Sequence, residues 1–68
     1  MPHVDAAVSA ARFEAARVAA IRATDEYRRL AQEPGHVTER KSLADDVRRR
    51  THEAVEELER LLASCRHS

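Results

Sequence analysis

The feature that most constrains this chain is a stripe of small and apolar residues at alternating spacings of three and four, repeated on both sides of one Pro-Gly break. The first stripe consists of Ala6, Ser9, Phe13, Ala16, Ala20, Ala23, Tyr27 and Leu30. The second consists of Ala44, Val47, Thr51, Ala54, Leu58, Leu61 and Cys65. Residues three and four apart lie on one face of an α-helix, where another helix can cover them. The sequence therefore predicts an all-α chain folded as an antiparallel, coiled-coil-like hairpin of two helices.

The ends of the two helices follow from a few residues with strong backbone preferences. Pro2 and Asp5 both favour a helix start, whereas Pro34 disfavours helical geometry at the residue before it and Gly35 permits a reversal. We expect one domain over 1–68, with helix 1 over about 4–32, a turn over 33–37 and helix 2 over about 38–66. Thr38 is the expected N-cap of the second helix, and Ser42 is the alternative.

Folding at the Pro-Gly break brings the first half of helix 1 alongside the last half of helix 2. With the turn as pivot, the expected neighbours are Phe13 and Leu58, Ala20 and Thr51, and Tyr27 and Ala44. This pairing sets large side chains against small ones. It also brings basic and acidic residues to the two edges of the seam, namely Arg12, Arg17 and Arg22 with Glu53, Glu56, Glu57 and Glu59. Charge and size therefore both favour the antiparallel arrangement.

More apolar surface exists than one hairpin can cover. Helix 1 carries a second apolar stripe on another face, and the apolar face of helix 2 becomes wider toward its end. The residues concerned are Val4, Val8, Ala11, Ala15, Val18, Ile21, Val55 and Leu62. A chain of 68 residues buries too small a share of its surface to be comfortably stable alone. We expect this set to form the interface of a homodimer, a four-helix bundle, or to bind an amphipathic helix of another protein.

Net charge, hydropathy and the few potential metal ligands limit the classes of function that we expect. The twelve basic and twelve acidic residues cancel, no segment is apolar enough for a membrane span, and no secretory signal begins the chain. A cytoplasmic location is expected, and the preference for Arg over Lys suggests a bacterial source. Cys65 is the only cysteine, and the pairs Glu33 with His36 and Cys65 with His67 offer too few ligands for a metal site. We therefore expect no metal and no other cofactor.

These observations predict a non-enzymatic interaction or regulatory module that self-associates through helix faces. One alternative is a nucleic-acid-binding dimer that uses the basic cluster of Arg28, Arg29, Arg40, Lys41, Arg48, Arg49 and Arg50. Acidic residues interleave with this cluster and few aromatic residues are available to stack on bases, so nucleic acid is not the expected partner. A second alternative is a small active site between subunits, with Arg17 and Arg22 pointing inward. His52 is expected to face solvent beside acidic neighbours.

Overall fold

Two antiparallel helices joined by a short turn make up the fold, which we describe from a computed structural model that covers residues 4–66, with side chains from residue 6. Helix α1 spans Val4–Ala31 and helix α2 spans Val37–Arg66. The hairpin is a narrow rod of 52 × 14 × 13 Å. The expected all-α helical hairpin is confirmed. Pro2 and the side chain of Asp5, the two expected starters of the first helix, lie outside the described part of the chain.

The reversal between the helices uses two consecutive residues with left-handed backbone geometry. Gly35 has φ +84° and His36 has φ +57°, a region that glycine enters freely and other residues enter at a cost. The His36 carbonyl accepts a hydrogen bond from the Arg40 amide at 2.8 Å, the first hydrogen bond of α2. His36 therefore occupies the N-cap position. The expected cap at Thr38 is wrong, because that residue already lies inside the first turn of the helix.

The seam of α1 follows the first stripe closely. Seven of its eight members are buried or half-buried, and they are Ser9, Phe13, Ala16, Ala20, Ala23, Tyr27 and Leu30. Ala6 is exposed instead. The alternating spacing of four and three therefore gave the correct face of this helix.

The seam of α2 is rotated away from the second stripe. The half-buried residues at this seam are Arg40, Leu43, Val47, Arg50, Ala54, Glu57, Leu61 and Ser64. Four of the seven expected members, Ala44, Val47, Ala54 and Leu61, are half-buried. Thr51, Leu58 and Cys65 are exposed, and the residues just before them are half-buried instead. The prediction was wrong at these three positions because it followed apolar character, whereas the register of the pair places Arg50, Glu57 and Ser64 against α1.

One contact between the helices fixes their register. The hydroxyl oxygens of Ser9 and Ser64 lie 3.4 Å apart, joined by a hydrogen bond. This contact shifts the pairing by two residues from the expected one. Of the residues expected opposite Phe13, Ala20 and Tyr27, Leu58 and Thr51 are exposed, whereas Ala44 is half-buried.

The middle of the seam combines alanines of α1 with long polar side chains of α2. Ala16 falls opposite Glu57, and Ala23 lines the same groove as Arg50. A small residue leaves room for the aliphatic stem of a charged side chain while its polar end turns outward. Only one oxygen of the Glu57 carboxylate has a hydrogen-bond partner among the described residues. Oε2 accepts a hydrogen bond from Arg60 at 2.8 Å, whereas Oε1 is buried without a partner there.

A substitution at the turn tests its backbone requirement. We expect Gly35→Ala to lower the free energy of unfolding by about 1 kcal/mol, because an L side chain at this φ is strained. No atom lies within 4 Å of the added Cβ, so steric crowding contributes nothing. Urea unfolding followed by circular dichroism at fixed protein concentration measures the change. His36→Gly should cause no loss, and a loss equal to that of Gly35→Ala would contradict this account of the turn.

A second substitution tests the polar middle of the seam. Glu57→Leu removes a buried carboxylate oxygen that lacks a partner, so we expect it to raise the free energy of unfolding by about 1–3 kcal/mol. Glu56→Leu is the matched control, since the neighbouring Glu56 is exposed and pairs with His52 outside the seam. The control should stay within about 0.5 kcal/mol of the original protein. Equal effects of the two substitutions would show that Glu57 has no special place in the seam.

Candidate interaction surface

The hairpin leaves most of its surface uncovered. Only Ala23, with 7% exposure, is buried among the described residues, and six large apolar side chains are 37–55% exposed: Val8, Ile21, Val37, Val55, Leu58 and Leu62. The accessible surface is 5323 Å². A compact monomer of 7.7 kDa exposes about 4300 Å². The excess of about 1000 Å² is comparable to the ~800 Å² that each partner contributes to a standard protein interface.

One long side of the hairpin is charged. Arg12 of α1 and Arg60 of α2 line one open groove there, and Glu26 of α1 and Asp46 of α2 line another. Since each groove includes residues of both helices, these positions lie on the same side of the seam. We call this surface the charged side, and it also contains Arg22, Arg29, Arg49, Glu53 and Glu56 by helical position.

The opposite long side carries most of the exposed large apolar side chains. On each helix, the positions across the seam from the charged side must share the other side of an antiparallel pair. We call this surface the apolar side, and its uncharged members include Ala7, Ala10, Ile21 and Thr24 of α1 with Thr51, Val55, Leu58 and Leu62 of α2. The same helical positions also place charged residues there, namely Glu14, Arg17, Arg28, Lys41 and Arg48. It spans both helices, so the hairpin has two unlike sides rather than one apolar edge.

The expected interface residues are divided between these surfaces. Ile21, Val55 and Leu62 lie on the apolar side and, with Leu58, supply its largest side chains. Ala11 and Val18 lie on the back of α1, next to that side, whereas Val8 and Ala15 lie toward the charged side. The side chain of Val4 lies outside the described part of the chain. Leu58 was predicted at the seam and not at the interface, but it lies on the apolar side.

The charged residues pair within their own helices. Among the residues that the structure describes, each ion pair joins positions three or four apart, so the expected cross-helix pairs of arginine with glutamate do not form. Arg17 donates two hydrogen bonds to the Glu14 carboxylate, at 2.6 and 3.1 Å. These hydrogen bonds hold the pKa of Glu14 below its ordinary value and raise the pKa of Arg17. Across the seam, Arg12 instead shares a groove with Arg60, a residue of like charge.

The basic cluster does not form one continuous surface. Arg29, Arg48, Arg49 and Arg50 each pair with an acidic residue in the same helix, and Arg40 and Arg50 are half-buried at the seam. By helical position, Arg29 and Arg49 lie on the charged side, whereas Arg28, Lys41 and Arg48 lie on the apolar side near the turn. The cluster is therefore spread around the hairpin and partly neutralised.

The other candidate residues, His52 and Cys65, are both exposed. His52 is exposed, and its Nε2 lies 3.4 Å from Glu56 Oε2. Cys65 is exposed on the apolar side near the end of α2. Within the described residues, no group of three or more metal-ligating side chains comes together, and His67 lies outside them. Over the same residues, neither helix has a stretch apolar enough to cross a lipid bilayer.

Comparison with known proteins adds no assignment: no protein family, curated protein or solved structure matches this chain. A function is therefore proposed from the physical character of the surface.

The Glu14 and Arg17 pair gives a prediction of pH dependence. A carboxylate whose pKa is lower in the folded chain stabilises the fold above its ordinary value of 4.5, and this contribution disappears as the pH falls below it. We expect Glu14→Gln to lower the melting temperature slightly at neutral pH, and this effect should shrink steadily as the pH falls below 4.5 toward the lowered pKa of Glu14. Glu59→Gln is the control, since Glu59 is exposed and makes no ion pair among the described residues. A Glu14→Gln effect that persisted at low pH would contradict this origin.

Proposed function

We propose that the protein is a non-enzymatic interaction module that acts by self-association through its apolar side. The observation that supports this is the mismatch between the rod's exposed surface of 5323 Å² and the surface of a compact monomer of the same mass. Four of the exposed large apolar side chains lie on one side of the hairpin. Covering that side would supply the buried core that two helices alone do not have.

The same surface offers little for catalysis or for nucleic acid. The grooves on the charged side are open, and their arginines are close to carboxylates rather than gathered around one point. Arg17 and Arg22, the candidates for an intersubunit active site, lie on different sides of α1, and Arg17 is engaged by Glu14. An extended apolar side spanning two helices instead matches the surfaces by which helical bundles assemble.

Light scattering tests this proposal directly. We expect a mass of twice the 7.7 kDa chain at micromolar concentration, falling toward one chain on dilution. Leu62→Glu should raise the dissociation constant at least ~100-fold, because the interface would then bury an unpaired carboxylate.

Ala63→Glu provides the matched control for that substitution. Ala63 is the next residue and is also exposed, but it lines a groove on the charged side. The same charge placed there should leave the dissociation constant within about threefold of the original. A folded, monomeric original protein over the whole concentration range would overturn the proposed function.

A further inference from the structure

We infer that the apolar side binds an acidic amphipathic helix of another protein, which lies along the hairpin between α1 and α2 and displaces the second copy. This inference rests on the proposed function, because it concerns the same surface and names the kind of partner that reverses the self-association. It follows from the charge of that surface and from the shape that the two helices give it.

The apolar side is positively charged, although the chain as a whole is neutral. Among the described residues it carries four cationic side chains and one carboxylate, a net charge of +3, whereas the charges of the whole chain cancel. In the half far from the turn, Glu14 and Arg17 pair with each other. The excess positive charge therefore lies in the half near the turn, on Arg28, Lys41 and Arg48.

These three cations have little opposing charge around them. Arg28 and Lys41 form no ion pair among the described residues. Arg48 Nη2 lies 3.5 Å from Asp45 Oδ1, but the two side chains are 79% and 76% exposed, and an ion pair so open to water contributes little. The half near the turn therefore offers positive charge to a partner.

The two helices form a shallow groove along this side, which we call the apolar-side groove. Its floor lies next to the seam, where Thr24 and Ala44 are half-buried and Leu58 is 37% exposed. Val55 and Leu62, on the rim formed by α2, are 48% and 47% exposed. The Thr24 hydroxyl donates a hydrogen bond of 2.8 Å to the carbonyl four residues earlier, so a partner can cover it without leaving that donor unsatisfied.

In the half near the turn, a single helix suits the apolar-side groove better than a second hairpin does. A second copy brings the same net charge of +3, so self-association works against like charge in any face-to-face orientation. A helix whose apolar stripe is flanked by carboxylates sets those carboxylates beside both rims instead. There it meets Arg28 on α1 and Lys41 and Arg48 on α2.

The half far from the turn also suits a single helix. The apolar stripe of such a helix covers Leu58 and Leu62, while one of its polar flanks faces the Glu14 and Arg17 pair on α1. A second hairpin has no such flank at this place. The partner helix is therefore apolar along one stripe and acidic only toward the end that lies near the turn.

An anionic bilayer would supply the same charge but would not fit the same shape. Between the cations, the floor of the apolar-side groove holds Thr24, Ala44 and Thr51, which offer little apolar side chain to insert among lipid chains. Small residues do allow another helix to approach closely. The floor therefore favours a helix over a lipid surface.

A synthetic peptide tests this inference. The peptide has leucine at the a and d positions of about three heptads, glutamate beside that stripe in one terminal half and glutamine beside it in the other. Its helix would be about 32 Å long, which matches α2 from Lys41 to Leu62. At concentrations where the peptide alone is monomeric, light scattering should show the dimer converted to one chain with one peptide. A peptide with lysine in place of glutamate should bind at least ~10-fold more weakly.

Two pairs of substitutions with the same change in net charge locate the binding site. Arg28→Gln with Lys41→Gln removes two cations from the rims, so we expect it to weaken binding of the acidic peptide about tenfold and to tighten the dimer. Arg22→Gln with Arg49→Gln removes two cations from the charged side, where Arg49 pairs with Asp46, and should leave both dissociation constants within about threefold. Equal effects of the two pairs on peptide binding would contradict this site.

Other results separate the ways in which the inference can fail. Equal binding of the glutamate and lysine peptides, or binding of neither while the dimer persists, overturns the acidic helix and leaves self-association intact. Binding to phosphatidylserine vesicles without binding to the acidic peptide assigns the apolar side to lipid and overturns the acidic helix as well. A monomeric chain that binds only the acidic peptide supports the acidic helix and overturns self-association. A monomeric chain that binds neither peptide overturns both.

Discussion

The seam between the two helices buries little surface area, and the rest of the structure depends on that constraint. At its centre α1 contributes only Ala16, Ala20 and Ala23, which bury little area however closely α2 approaches. Larger residues occur only toward the ends, with Phe13 at one end and Tyr27 and Leu30 at the other. A two-helix hairpin has a single seam, so no other contact within the chain compensates. This is why Ala23 alone is buried among the described residues.

The alanine centre also determines what α2 places against it. The stems of Arg50 and Glu57 fit over alanines because they need little depth. The guanidinium of Arg50 reaches the edge of the seam, whereas Glu57 leaves one carboxylate oxygen buried. With those positions occupied by polar residues, Leu58 falls one position outside the seam, beside Val55 and Leu62. The apolar side and the polar middle of the seam are therefore one feature: the rotation of α2 that admits Arg50 and Glu57 also exposes the leucines.

The sequence predicted the helices and the face of α1 because these depend on local spacing, in which one repeated pattern stands out. It misplaced the face of α2 because two neighbouring faces of that helix are both apolar, and Leu58 looked like a better seam residue than Glu57. Only the register distinguishes them, and the register is set by the left-handed turn at Gly35 and His36 together with the contact of Ser9 with Ser64. The matched spacing of Leu43, Val47, Ala54 and Leu61 with the α1 seam was the available signal. Of the acids expected to pair with α1, Glu56 and Glu57 pair with His52 and Arg60 of their own helix, whereas Glu53 and Glu59 form no ion pair among the described residues.

A hairpin of this kind links folding to association. Residues that would strengthen the seam, such as Leu58 and Leu62 of α2, lie instead where only another molecule can bury them. A buried oxygen of Glu57 without a partner further lowers the stability of the single hairpin. Whatever binds the apolar side stabilises the folded chain by mass action, so the population of ordered helices depends on partner concentration. If the partner is a second copy, the hairpin is most ordered where the protein is abundant, and its concentration becomes the variable to which the fold responds.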